Sequence, residues 1–195
     1  MRTFKKRDYI SGDGMLTSVW GPSMWHYMHT MSFNYPVKPS AVDKKSYKDF
    51  IINLQYVLPC KYCRINLKNN MKALPLKSCH MKDRAAFSRY VYELHEAVNK
   101  MLKKKSGLSY CDVRERYEHF RSRCTEEKPK MFTLKNKKNK KNKKNKKNNT
   151  QKNKKETGCT EPLYGKKAKC VINIVPHDNP TKTFNVDKKC IKTRS

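Results

Sequence analysis

The chain has 195 residues, a formal net charge of +30 and a hydrophobic fraction of 36%. Its length bounds it to one modest domain with appendages, and so large a charge excludes an even spread over one compact fold. The basic opening MRTFKKRDYISGDG lacks an apolar run, and nowhere do about 18 apolar residues follow one another, which predicts a cytoplasmic protein with neither secretory signal nor membrane span.

Residues 1–19 form that basic segment, and from Trp20 to Cys124 the apolar spacing is helical. In GPSMWHYMHTMSFNYP, Pro22 suits a first helical turn, Trp25, Met28, His29 and Ser32 recur at spacings of three and four, and Pro36 closes the segment. This predicts a helix over 22–34. A second is predicted over 44–57, with Asp43 as N-cap and Tyr47, Phe50, Ile51, Leu54 and Leu58 as its apolar stripe. After Pro59, the string CKYCRINLKNNMKAL predicts a third helix that begins at or beside Cys60 and stops at Pro75. The fourth, over 84–104, has Asp83 to cap it, an apolar face of Phe87, Tyr90, Val91, Leu94, Val98 and Leu102, and Gly107 beyond its end. A short fifth helix over 112–122 places Val113, Tyr117 and Phe120 on one side. Four helices and a short fifth, joined by ordinary loops, predict an all-α bundle for residues 20–125.

Residues 126–158 have a different character. From Lys135 to Lys155 there are twelve lysines, no acid and no apolar side chain, so nothing is available to offset the entropy of ordering, and a disordered linker is predicted. Clustered lysines also make weak, non-specific contact with nucleic acid by counterion release. No aromatic residue interleaves them as a stacking platform, which favours a plain spacer. In the tail, 159–195, the run CVINIV predicts a short strand.

Eight cysteines are unusual for a cytosolic chain, where stable disulfides are rare and a C-x-x-C more often binds metal or does redox chemistry. At a helix start, unpaired N–H groups and the positive dipole end favour a thiolate, and Lys61 and Arg64 add positive charge. Cys60 and Cys63 therefore suit reversible disulfide exchange. They also suit half of a zinc site completed by Cys79 and His80, although the adjacency of that second pair is atypical, and this alternative carries with it a basic nucleic-acid-binding protein. Trp25 with His29, and His95 with Asn99, stand four apart on faces that turn inward, so several polar groups require a shared partner, which a planar hydrogen-bonding cofactor would supply.

Four segments in order, WGPSMWHYMHTMSFNYP, PCKYC, RAAFSRYVYELHEAVNKMLKKK and YCDVRERY, resemble the FAD-dependent Erv/ALR sulfhydryl oxidases over about residues 20–120. The resemblance implies a helical bundle enclosing FAD, with Gly21, Trp25, His29 and Tyr35 contributed by the first helix and its end, and His95, Asn99 and Lys104 by the fourth. Tyr117 stands where the family usually has tryptophan, Glu96 replaces an asparagine, and Tyr92 sits where many members place a disulfide cysteine. The resemblance further implies that Cys60 exchanges with substrate thiols and Cys63 lies next to the flavin, that protein thiols are the substrates and oxygen the acceptor, and that the chain forms a homodimer. Versions without targeting signals resemble those of large cytoplasmic DNA viruses, which act in host cytoplasm or the virion. Cys159, Cys170 and Cys190 are candidates for a shuttle pair or for one local disulfide, and the pairing of Cys79, Cys111 and Cys124 stays open.

Overall fold

The computed structural model describes residues 5–10, 12, 14–123, 159, 161–182 and 184–191, so the lysine-rich linker expected over 126–158 lies outside the described residues. Two units are distinguished: one of 1–118 with 170–186, the other of 119–169 with 187–195.

In the first unit the helices are α1 (Thr17–Phe33), α2 (Ala41–Val57), α3 (Lys61–Ala73), α4 (Arg84–Met101) and α5 (Tyr110–Glu118), with a 3-10 turn at Ser78–Met81 and a single turn at Lys6–Tyr9. The all-α bundle expected from the spacing is therefore present. Its boundaries differ from expectation for identifiable reasons. Helix α1 starts at Thr17 instead of residue 22, because Val19 N–H donates to the Leu16 carbonyl at 3.0 Å and the Trp20 indole N–H to the Met15 carbonyl at 3.1 Å. Pro22 consequently lies within the helix, where its missing N–H forfeits one bond, to the Ser18 carbonyl.

At α2 the cap is Ser40, not Asp43. The Ser40 hydroxyl accepts from Asp43 N–H at 3.1 Å while Ser40 N–H donates to the Asp43 carboxylate at 2.8 Å, a reciprocal capping box. The same device starts α5 at Tyr110 instead of 112: Asp112 N–H donates to the Ser109 hydroxyl and Ser109 N–H to the Asp112 carboxylate. Asp83 caps α4 as expected, accepting from Ala86 N–H at 2.8 Å, and that helix stops at Met101, with Lys103 at φ 55° beyond it.

Helix α1 packs on α4 and α5, α2 packs on α3, and α3 on α4. Their buried faces supply one core of Met28, Tyr35, Ile51, Leu54, Leu67, Phe87, Tyr90, Val91 and Leu94, of which Tyr35, Ile51, Phe87, Tyr90, Val91 and Leu94 are wholly inaccessible. A smaller cluster of Phe33, Tyr110, Val113 and Tyr117 seats α5. Tyr92, the position of a disulfide cysteine in the resemblance, instead donates its hydroxyl to the Leu108 carbonyl at 2.8 Å and packs edge-on against Tyr110. It ties α4 to the start of α5 without a covalent bond.

The strand expected at CVINIV does not form. Val171, Ile172 and Ile174 are exposed, and among the described residues no neighbouring strand pairs with them to complete a ladder. In the second unit a two-residue antiparallel pairing joins Ser122–Arg123 (β1) to Glu161–Pro162 (β2). Cys159 is in a disulfide there, while Cys190 of this unit and Cys170 of the first are free thiols.

Candidate active site

One face of α1 organises the site. Thr17, Gly21, Trp25 and His29 recur every four residues, so they stack along a single side of the helix over about 18 Å. The two ends of this face carry different chemistry.

At its N-terminal end lies the thiol pair. Cys60 is the N-cap of α3, and its sulfur accepts from Cys63 N–H at 3.2 Å, one of the otherwise unpaired donors of a helix start. The Thr17 hydroxyl is 3.6 Å from the Cys63 sulfur. Hydrogen bonding from Cys63 holds the Cys60 thiol below its ordinary value, whereas burial raises that of Cys63. Both sulfurs are free and partly accessible. One thiol is therefore set up to ionise and exchange, and its neighbour is partly withdrawn from water.

A length of extended chain holds this end in place. Met15 N–H donates to the Pro59 carbonyl at 2.6 Å, and Gly14 forms an antiparallel bridge with Cys60. Gly14 has φ 114°, and a Cβ there would approach the Pro59 carbonyl oxygen to 2.7 Å, so only glycine lets the backbones meet this closely.

At the other end the rings gather. The Trp25 indole stacks on His95 from α4 with centroids 3.9 Å apart and planes within 5°. His29 Nε2 meets His95 Nδ1 at 2.9 Å, and the His29 ring lies 5.1 Å from Tyr117 of α5. The histidine contact requires one N–H and one lone pair, so it is lost if both rings are fully protonated. Burial accordingly pushes His29 down to about 3, with His95 and His26 adding to the effect, and burial pushes His95 down to about 4. Burial raises the Tyr117 hydroxyl to about 12.

Two observations test whether these residues suit a planar, hydrogen-bonding group. His29 is only 4% exposed, yet its Nδ1 has no hydrogen-bond partner among the described residues, an omission that costs about 1–3 kcal/mol unless a ligand supplies one. Gly21 is buried in α1, but a Cβ placed on it would meet only Thr17 Cγ2, at 3.4 Å. Between the sulfurs and the rings, no side chain from another element among the described residues thus comes within 4 Å of where a Cβ on Gly21 would stand. Both features fit the cofactor implied by the resemblance.

Of the residues singled out from the sequence, the structure brings together Trp25, His29, His95 and Tyr117, and puts Gly21 on the same face of α1. Asn99 donates to the carboxylate of Glu96, which stands where the resemblance has an asparagine, at 2.9 Å. The Lys104 backbone N–H donates to the Asn99 carbonyl at 2.8 Å, with its side chain exposed. Tyr35 is elsewhere: wholly buried, it donates to the Met81 carbonyl at 3.0 Å and packs against Tyr47 and Phe87.

The zinc set is not assembled. Among the described residues no three His, Cys, Asp or Glu side chains gather as a metal would require, and His80 Nδ1 accepts from Lys77 N–H at 3.0 Å with its ring against Tyr90.

Sequence reasoning missed Thr17, His26 and Phe184. His26 Nδ1 lies 3.3 Å from the Tyr117 hydroxyl, and the Phe184 ring packs on both His26 and Tyr117 under the Arg116 guanidinium. Thr17 alone carried a signal, being four residues before Gly21 on the same face.

The family model described as Erv1 / Alr family matches residues 22–121. A probable FAD-linked sulfhydryl oxidase of Acanthamoeba polyphaga mimivirus is 32% identical over 53% of this chain and 72% of its own length. The FAD-linked sulfhydryl oxidase of an African swine fever virus isolate from Kenya is 28% identical over 51% of this chain and 80% of its own. The mitochondrial FAD-linked sulfhydryl oxidase of Saccharomyces cerevisiae is 29% identical over 53% of this chain, a match that spans half of the yeast protein. Among solved structures, the yeast Erv1 core aligns with a TM-score of 0.48 at 22% identity, covering 60% of this chain and 92% of that one.

Proposed function

Because the chain belongs to the Erv1 / Alr family, whose model spans residues 22–121 of its 195, we propose that it is an FAD-dependent thiol oxidase that forms disulfides in protein substrates. The observation that carries this reading is the single face of α1 that runs from the Cys60–Cys63 pair at Thr17, past Gly21, where a Cβ would find room, to the rings of Trp25, His29 and His95.

The chain's own residues divide the work. Cys60, accessible and with its thiol biased toward ionisation, is the sulfur that a substrate thiolate attacks; Cys63, partly withdrawn from water, receives the electron pair of the broken disulfide. FAD supplies a two-electron acceptor that oxygen reoxidises, with hydrogen peroxide as product. Trp25 and His95 offer flat rings for the cofactor, and His29 Nδ1 offers a polar atom in need of a partner. Gly21 leaves room, Tyr117 closes the α5 side, Asn99 and Lys104 edge the site from the end of α4, and Tyr35 fixes the end of α1 that presents the rings. Burial keeps both histidines neutral, so the pair keeps the N–H and the lone pair that their contact requires.

Host cytoplasm or the virion is the proposed place of action, in keeping with viral relatives, and a homodimer is the proposed working form. No helix among the described residues is long and apolar enough to cross a membrane. The reading is tested by following a reduced protein substrate: one peroxide should appear for each disulfide formed, and disulfide formation without oxygen consumption would refute it.

A further inference from the structure

Resting on that reading, we propose that Thr17 is a third member of the thiol site: its hydroxyl donates a hydrogen bond to the Cys63 sulfur and holds the negative charge that develops there when substrate breaks the Cys60–Cys63 disulfide. The step balances as follows. A substrate thiolate attacks the Cys60 sulfur, a substrate–Cys60 disulfide forms, the Cys60–Cys63 bond breaks, and its electron pair leaves on Cys63 as a thiolate. A second substrate thiolate then attacks the substrate sulfur of that mixed disulfide. This releases the substrate disulfide and leaves Cys60 as a thiolate, so the two substrate electrons now reside on the reduced pair.

The leaving group in the first exchange is Cys63, and the rate rises as that thiolate is stabilised. Its surroundings otherwise work against it, because burial disfavours the charged form. A thiolate only accepts hydrogen bonds, so once Cys63 ionises the contact with Thr17, 3.6 Å long, must have the hydroxyl as donor. Of the cations nearby in sequence, Arg64 is committed to the Leu58 carbonyl and Lys61 is exposed. The hydroxyl is therefore the side-chain group that opposes burial at this sulfur.

Its position is built and not incidental. Thr17 is the first residue of α1, and the preceding chain is fixed by the Met15–Pro59 bond, the Gly14–Cys60 bridge and the Trp20 indole bond back to Met15. Three separate contacts thus set the register that places this hydroxyl against α3.

The test uses the full chain with its flavin, reduced under nitrogen. Cys63 alkylation by iodoacetamide is followed against pH, with the modified peptide identified by mass spectrometry. Thr17→Val should raise the Cys63 pKa by about half a unit to one unit. It should slow dithiothreitol turnover about threefold to tenfold, Thr17→Ser should restore both, and flavin content should not change. Gly14→Ala, which displaces the preceding chain, should move the alkylation profile in the same direction. Superimposable profiles for wild type and Thr17→Val, or a Thr17→Ser profile identical to that of Thr17→Val, would overturn the proposal. Failure of the oxidase reading is separate from both, since it would show as a wild-type chain that makes no peroxide from thiols, whatever its alkylation profile.

Discussion

The two ends of α1 differ in how they treat charge. At Thr17 the thiol pair is partly open to water: hydrogen bonding from Cys63 shifts the Cys60 thiol down, and burial shifts that of Cys63 up. At Trp25 and His29 the rings are packed, and burial is the largest influence on both histidines, leaving His29 near 3 and His95 near 4. The same helix therefore offers an entrance where charge comes and goes with substrate, and a cradle from which charge is excluded. Thiol exchange requires access and ionisation; holding a flat cofactor requires dry, rigid surfaces. Both lie along one face of α1, with Gly21 between them, so neither environment has to do both jobs.

The largest effect should come from breaking the entrance alone. Cys63→Ser is expected to reduce thiol oxidation to background while the flavin stays bound and the helical content is unchanged, as read by peroxide production, visible absorbance and circular dichroism. Loss of flavin in that variant would mean the ends are not separable.

Breaking the cradle alone should give the converse. His95→Ala removes the ring stacked on Trp25 and the partner of His29 Nε2, leaving a buried polar atom unsatisfied, at a cost of about 2–3 kcal/mol. The expected result is flavin lost during gel filtration and a lower melting temperature, with iodoacetamide reaction at Cys60 unaltered.

A smaller, graded effect should follow pH. Both histidines have folded values below the ordinary 6.5, so below pH 6.5 the unfolded chain binds protons that the folded chain does not, and stability falls as pH falls. For His29 alone the loss is about 2 kcal/mol at pH 5 and continues down to about 3. Melting temperatures between pH 7 and pH 4 check this, and His29→Gln should flatten the curve. A wild-type curve that stays flat over that range would show that the rings are not desolvated.

How much of this was legible in the sequence depends on whether the governing interaction was local. The helices were, because their apolar stripes recur at helical spacing; Asp83 was correctly a cap because its partner, Ala86, is three residues away. Asp43 was misassigned as a cap because Ser and Asp at a spacing of three can each start a helix, and only the reciprocal bonds with Ser40 show which one does. The early start of α1 was hidden: Leu16 offers no side-chain cap, and the turn is held by the Trp20 indole and by chain that pairs with Cys60 some 45 residues away. Trp25, His29, His95 and Tyr117 were legible as a group through the resemblance, and their convergence follows from helix faces. Tyr35 was not separable from them, since nothing local says that its hydroxyl reaches Met81. Thr17 and Phe184 depend on contacts far along the chain, which periodicity does not encode. The run CVINIV has the residues of a strand but, among the described residues, no partner strand, and β propensity acts only through one.

The most direct test of the coupling between the two ends is the visible spectrum of the purified chain before and after dithiothreitol is added without oxygen. The account predicts a flavin spectrum that bleaches with the thiol and returns, with peroxide, when air is admitted. A flavin spectrum that dithiothreitol leaves unchanged, or a colourless protein that binds no added FAD, would contradict it.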